Sequence, residues 1–229
     1  MKESIYTIPI SEIFEPMQGC PLCALYKSLE ERWVDYITGA AMMEPDIRVE
    51  TNKRGFCLHH FEMMIAMRNR LSVALILQTR LAHINDTLEE GPAARRGFLR
   101  AHSDERAEDD CFVCSRINRE FNRIGANIAE LWRREPDFRT LYAEQQFICL
   151  PHFRMLTSAG SKALRPKEFE LFHKETARLT RKKLLAVKSD IDEFCNLFDY
   201  RNAGGEQPPP EVATSIESAI EYLTSSGGR

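Results

Sequence analysis

Six of the seven cysteines and two of the six histidines fall into two matching sets of motifs. Each set contains a Cys-x-x-Cys pair followed by a Cys-x-x-His pair. Two thiolates spaced in this way approach one ion from a single turn, and the second pair completes a tetrahedron from another turn. We therefore predict one metal site in each set. The sets are Cys20, Cys23, Cys57 and His60, and Cys111, Cys114, Cys149 and His152.

Three sulfurs and one imidazole form a soft ligand set, which favours Zn²⁺ over Mg²⁺ or Ca²⁺. The expected cofactor is zinc, with two ions per chain. An iron–sulfur cluster, which also takes cysteine ligands, is the alternative. Two other interpretations stay open: the cysteines are small buried apolar residues, or Cys-x-x-Cys is a redox dithiol. The dithiol interpretation needs a βαβ context, which the sequence does not offer.

The motifs recur at nearly constant offsets. Cys111-Phe-Val-Cys114 lies 91 residues after Cys20-Pro-Leu-Cys23, and the Cys-Leu-x-His-Phe motifs are 92 residues apart. Glu-Pro-Asp-x-Arg, at 44–48 and 135–139, also repeats at the first offset. Because this third match is independent of the cysteines, we infer an internal duplication. His59 has Pro151 as its counterpart, which excludes an equivalent ligand role for it.

Apolar residues at spacings of three and four predict helices in both copies. A first helix follows each Cys-x-x-Cys motif, and we expect it to end at Pro45 or Pro136 because proline cannot donate the backbone hydrogen bond. If the first of these helices runs from about residue 21 to 43, Cys57 must return along its whole length. We therefore expect a largely extended connection from Pro45 to Cys57, or a bent helix.

A second helix is expected to begin at each Cys-x-x-His motif. In the first copy it should continue to about Glu90, whereas Gly160 and Pro166 should interrupt it in the second copy. A long helix then runs from Lys167 toward Tyr200. No alternating strand pattern competes, so the predicted fold is all-α: an internally duplicated helical bundle with two metal-clamped pairs of helix N-termini.

The predicted organisation is a first lobe at 1–105, a second lobe at 106–200, and a flexible linker with a short C-terminal helix at 201–229. The linker is indicated by Gly204-Gly205 and three prolines at 208–210. Gly91-Pro92 and the acidic run from Asp104 to Asp110 join the lobes. Cys195, outside the repeat, is expected to be a buried, inert thiol on the long helix.

The motifs resemble those of an uncharacterised bacterial family of unknown function, whose members carry paired Cys-x-x-Cys and Cys-Leu-x-His-Phe motifs. The resemblance covers about residues 15–198. It implies no activity, cofactor or partner beyond what the residues themselves indicate.

The formal net charge of -3 gives no basic field, so nucleic acid is an unlikely partner. No segment has the roughly 18 consecutive apolar residues of a membrane span, and the first residues lack a signal sequence. We therefore expect a cytoplasmic protein with no membrane association. Four protein ligands close a zinc site, which disfavours catalysis, and we assign no catalytic residue. The predicted role is an interaction or regulatory module with an unidentified protein partner; the alternative is a redox or metal-handling protein.

Overall fold

The computed structural model describes residues 10–89, 111–198 and 208–225. Over these residues the chain is all-α, as predicted, with eleven α-helices and one 3-10 turn and with no strand. None of the described helices is both long enough and apolar enough to cross a membrane. The lobe connection, including Gly91-Pro92 and Asp104 to Asp110, lies outside the described residues.

The helices of the amino-terminal part are α1 (Ile10–Phe14), α2 (Pro21–Thr38), a 3-10 turn (Ala40–Met43), α3 (Pro45–Arg54), α4 (Leu58–Ala66) and α5 (Arg70–Glu89). Those of the remaining part are α6 (Phe112–Arg134), α7 (Pro136–Ala143), α8 (Leu150–Ala163), α9 (Pro166–Asn196), α10 (Pro210–Ala213) and α11 (Ser215–Thr224). The series α2 to α5 and the series α6 to α9 have the same order: Cys-x-x-Cys helix, short helix, Cys-x-x-His helix, longer helix.

Pro45 and Pro136 begin helices rather than only ending them. Each occupies the first turn of a short helix, where a missing N–H costs nothing and the fixed φ suits the helix. The expected extended connection to Cys57 is therefore wrong, because most of it is helix α3. Arg48 and Arg139, which occupy matching positions of the repeated Glu-Pro-Asp-x-Arg motif, both donate hydrogen bonds to backbone carbonyls. The acceptors are Leu75 for Arg48 and Trp132 for Arg139.

The helices that follow the Cys-x-x-His motifs also differ from the prediction. In the first series the expected single helix is broken between Ala66 and Arg70, where Arg68 has a φ of 63°. In the second series Gly160 does not interrupt α8, which continues to Ala163. Pro166 does start a new helix, α9, whose first turn is completed by a hydrogen bond from the Arg165 N–H to Glu168.

The chain divides into two compact units, one formed by Met1–Lys27 with Phe121–Arg229 and the other by Ser28–Glu120. The boundaries of these units differ from those of the predicted lobes at 1–105 and 106–200. Helix α2 begins in the first unit and ends in the second, and helix α6 begins in the second unit and ends in the first. The first unit therefore contains the start of α2 together with α8 and α9. The second contains the rest of α2, the helices α3, α4 and α5, and the start of α6.

Each unit has its own core. In the first unit Phe14, Phe138, Tyr142 and Phe172 form an aromatic cluster with ring centroids 5.2 to 6.2 Å apart. The buried Tyr142 hydroxyl is 2.8 Å from the Thr176 hydroxyl, so its polar atom is satisfied inside the core. The core of the second unit is built from buried side chains of α2, α4 and α5, which are Leu29, Trp33, Ile37, Met64, Val73 and Ile76.

Candidate metal centres

We call the cluster of Cys20, Cys23, Cys149 and His152 the first centre, and that of Cys57, His60, Cys111 and Cys114 the second centre. The residues of the first centre lie at two helix N-termini of the first unit. Cys20 directly precedes α2 and Cys23 is in its first turn, where the Cys23 N–H donates to the Cys20 carbonyl. Cys149 is the N-cap residue of α8, and His152 follows in the first turn. The positive end of a helix dipole favours an anionic thiolate, so this placement suits metal-binding cysteines.

In this first centre the three sulfurs surround one imidazole nitrogen. The Sγ atoms of Cys20, Cys23 and Cys149 lie 3.5, 3.4 and 3.0 Å from Nδ1 of His152. The Sγ atoms of Cys23 and Cys149 are 3.7 Å apart. All four residues are buried.

The second centre repeats the arrangement in the second unit, at the N-termini of α4 and α6. The Sγ atoms of Cys57, Cys111 and Cys114 lie 3.0, 3.3 and 3.5 Å from Nδ1 of His60. The Sγ atoms of Cys57 and Cys114 are 3.9 Å apart. His60, Cys111 and Cys114 are buried, whereas Cys57 is half-buried.

The structure thus brings together all eight predicted residues, but in a different grouping. We expected each copy to complete its own site, with Cys20 and Cys23 beside Cys57. Instead, the Cys-x-x-Cys pair of each copy meets the Cys-x-x-His pair of the other. Grouping within a copy is therefore wrong. The physical reason is that α2, at roughly 27 Å for its 18 residues, carries the chain away from Cys23, and the helical α3 cannot span the return.

The spacing of the ligand atoms fits a single metal ion. A zinc ion with sulfur at about 2.3 Å and nitrogen at about 2.0 Å in a tetrahedron holds its ligand atoms roughly 3.5 to 3.8 Å apart. The measured distances of 3.0 to 3.9 Å bracket these edges. In both clusters all four ligand atoms lie within 4.8 Å of one another. The two clusters could therefore each bind one metal ion.

In the first centre, burial and the mutual interactions of the thiols oppose full deprotonation in the absence of a cation. Burial raises the pKa of Cys20 to about 12. Hydrogen bonds with the other two thiols raise the pKa of Cys149 and lower that of Cys23. Without a metal, one of the three thiols therefore loses its proton readily, whereas deprotonation of the other two is disfavoured. A divalent cation would compensate the negative charge of all three thiolates.

The second centre shows the same pattern. Hydrogen bonds with Cys111 lead the causes that lower the pKa of Cys57 and raise that of Cys114. Burial disfavours the charged His60 ring, yet hydrogen bonds with Cys111, Cys57 and Glu30 raise its pKa to about 11. The neighbouring sulfurs and Glu30 thus favour the positively charged form of the His60 ring.

One acidic residue near the second centre was missed by the sequence analysis. Glu30 is 6% exposed, and its Oε1 lies 3.1 Å from Nε2 of His60 and 3.0 Å from Nε2 of His59. The available signal was a glutamate on the apolar face of α2 between Leu29 and Trp33. His59 is not a member of either cluster, which agrees with the exclusion of a symmetric ligand role.

One further prediction concerns a residue outside the two clusters. Cys195 is exposed, so the prediction of a buried thiol is wrong.

Aromatic side chains pack next to both clusters. Phe56 packs on Phe61 with ring centroids 5.5 Å apart, directly beside Cys57 in the chain. Phe153, which follows His152, packs on His173 in the first unit.

The chain belongs to a family of unknown function (DUF6062), whose family model matches residues 1–227. This bears out the resemblance inferred from the paired motifs, and the match extends beyond the part of the chain that carries them. No curated protein and no solved structure matches the chain.

Proposed function

We propose that this protein binds two zinc ions, one in each Cys₃His centre, and that each ion fastens two helix N-termini together. The tetrahedral spacing of four buried or half-buried ligand atoms is the observation that carries the proposal. In the first centre the metal would join α2 to α8, and in the second it would join α4 to α6. Closed sites of this type supply folding free energy, so the role is structural.

The compactness of the clusters supports a mononuclear centre over an iron–sulfur cluster. In an iron–sulfur cluster the four ligands are divided among two or four iron atoms, so ligand atoms bound to different irons lie farther apart than the edges of one tetrahedron. Here every ligand atom of a centre lies within 4.8 Å of the other three. An iron–sulfur or metal-handling role is therefore the weaker alternative.

Two observations support an interaction or regulatory role over a catalytic one. Four protein ligands leave no coordination position for water or substrate, which disfavours a zinc hydrolase. The surface of α5 offers apolar contact area instead: Leu77, Leu81 and Leu88 are 37, 63 and 51% exposed at spacings of four and seven residues. Such a stripe is typical of a helix that packs on another protein.

Elemental analysis of the purified protein tests the metal assignment. We expect close to two zinc ions per chain and a colourless protein. Iron accompanied by visible absorption bands would favour the cluster alternative, and a metal-free, folded protein would contradict the proposal altogether.

Chelation tests the structural role. We expect that complete zinc removal lowers the melting temperature strongly; a loss of about 5 kcal/mol corresponds to roughly 10 to 20 °C for a chain of this size. Circular dichroism melts of zinc-loaded and chelated protein measure the change. Readdition of zinc should restore the original melt, and an unchanged melt after verified metal removal would exclude a structural role.

A further inference from the structure

The second centre has an outer carboxylate. Glu30 lies on α2 in the second unit, and its side chain is 8% exposed. One oxygen, Oε1, accepts a hydrogen bond from Nε2 of His59 at 3.0 Å. The same oxygen lies 3.1 Å from Nε2 of His60, an ion-pair contact that is close enough for a hydrogen bond but is not aligned for one, and Nε2 of His60 has no other partner in the described part of the chain. His60 presents its other nitrogen, Nδ1, to the three sulfurs. The carboxylate therefore lies on the side of His60 opposite to the ligands.

A buried carboxylate is costly unless a polar partner compensates it. The two histidines are those partners, and they differ in their surroundings: the His60 side chain is 1% exposed, while that of His59 is 38% exposed. His59 thus connects the buried carboxylate to the surface. A hydrogen bond from its ring to Glu30 fixes the carboxylate in place, which in turn fixes its position relative to His60.

Among the residues that the structure describes, no carboxylate lies at the imidazole of His152 in the first centre. The residue 91 positions after Glu30 is Phe121, and the residue after Leu150 is Pro151, where the other copy has His59. The ring of Phe121 lies 5.3 Å from that of His152, centroid to centroid. At the corresponding place beside the ligand histidine, one centre thus has a carboxylate and the other has an aromatic ring.

We propose that Glu30 is a positioning residue for the metal of the second centre, so that the two centres bind zinc unequally. This inference rests on the proposed zinc binding and adds which residue distinguishes the sites. A carboxylate at the distal nitrogen of a ligand histidine fixes the ring orientation, selects the tautomer protonated on Nε2 and makes Nδ1 a better donor. Phe121 can pack against His152 but cannot act in this way.

The test is Glu30→Gln, which keeps the shape and removes the charge. Glu31→Gln, at the exposed neighbouring position, is the matched control. Zinc-loaded full-length proteins are titrated with a chelator in the presence of a thiol-alkylating reagent, and peptide mass mapping reports which cysteines have been released. The exposed Cys195 should react in every sample and serves as the internal standard.

We expect Glu30→Gln to weaken zinc binding at the second centre by about 10 to 100-fold. Cys57, Cys111 and Cys114 should then be alkylated at a correspondingly lower chelator concentration. The release of Cys20, Cys23 and Cys149 should be unchanged, and the control should match the wild type at both centres. Equal chelator midpoints for Glu30→Gln and wild type would overturn the inference.

Loss of packing at residue 30 could also release zinc, so a spectroscopic readout separates the two causes. In zinc-saturated protein, long-range ¹H–¹⁵N spectra of the histidine rings report the Nε2 proton of His60 and of His152. A positioning role predicts that Glu30→Gln moves the His60 signal and leaves that of His152 unchanged. Zinc release with an unshifted His60 signal would overturn the positioning role, whereas absence of zinc from the wild type would refute the proposed function instead.

Discussion

At the scale of single residues, the exchange of ligands between the copies is the finding with the sharpest consequence. Cys23 shares a centre with Cys149 and not with Cys57. Serine keeps nearly the size of cysteine but is a poor zinc ligand, so the loss of a single cysteine should abolish tight binding at the centre that contains it. Pairs of substitutions therefore distinguish the two groupings.

We expect Cys23→Ser with Cys149→Ser to lose one zinc ion, because both changes fall in the first centre. Cys23→Ser with Cys57→Ser should lose both ions, because each centre is affected. Elemental analysis of the two double variants measures the difference. Grouping within each copy predicts the reverse result, so the two variants serve as controls for each other.

The eight residues that form the two clusters could be predicted from the sequence, whereas their grouping could not be. Both copies offer the same residue types at the same spacing, so nothing in the motifs distinguishes one partner from the other. The grouping depends instead on the length of α2 and on the position of Pro45 in the first turn of α3. Because α3 is helical, the chain between α2 and Cys57 is too short to return to Cys23, which would require an extended segment.

Glu30 was missed for a different reason. A glutamate on a helix is usually solvated, and only its neighbours in space reveal a buried role. His59 and His60 come from α4 and reach Glu30 across 29 and 30 positions in the chain. A pairing of this kind depends on tertiary packing, which helical periodicity does not report.

At the scale of helices, the approach of α8 to α9 depends on a glycine. A Cβ added to Gly160 would lie 2.9 Å from the Phe172 ring, which is fully buried. A Cβ added to Gly125 on α6 would instead lie 2.6 Å from the sulfur of Met155, the flexible end of a half-buried side chain, and 3.1 Å from the Cβ of Ala159. The two glycines therefore form a matched pair in the first unit.

We expect Gly160→Ala to lower the free energy of unfolding by about 1 to 3 kcal/mol, because the Phe172 ring cannot move aside. Gly125→Ala should lower it by less than Gly160→Ala does, since Met155 can shift, the contact with Ala159 requires only a small displacement, and alanine favours the helix. Urea unfolding of both variants in zinc-saturated buffer measures the effect. A larger loss for Gly125→Ala would contradict this account of the helix contact.

The helices themselves were largely predictable, in contrast to the breaks between them. Apolar periodicity located α2, α6 and α9 because each buries one face along many turns. It did not locate the break between Ala66 and Arg70, where Arg68 turns the chain with a positive φ and no glycine or proline marks the position. Nor did it show that Gly160 could remain in a helix, since that depends on the space that Phe172 takes.

At the scale of the whole molecule, the exchanged ligands mean that a cut between the copies divides both centres. A fragment of residues 1–105 retains Cys20, Cys23, Cys57 and His60, which belong to two different centres. The fragment 106–229 retains the other half of each. Four suitable ligands are therefore present in each fragment, but their native partners are in the other.

We expect neither fragment to fold with a tightly bound zinc ion, because the helix pairs α2 with α8 and α4 with α6 are separated. Mixing the fragments with zinc should give a one-to-one complex that contains two zinc ions and shows a cooperative melt. Size-exclusion chromatography with elemental analysis measures this. Two independently folded fragments, each with one zinc ion, would contradict the exchanged grouping.

The two centres are nested along the chain: Cys57 and Cys114 are 57 positions apart, inside the 126 that separate Cys23 and Cys149. Metal binding at the second centre closes the inner loop and shortens by nearly half the loop that the first centre must close. The entropic free-energy cost of closing that outer loop falls by about 0.6 kcal/mol. At about 5 to 20 residues per second, the ribosome completes His152 roughly 2 to 8 s after Cys114. During synthesis the inner centre therefore has its full ligand set first, and the thiols of Cys20 and Cys23 must stay reduced until the last ligands emerge.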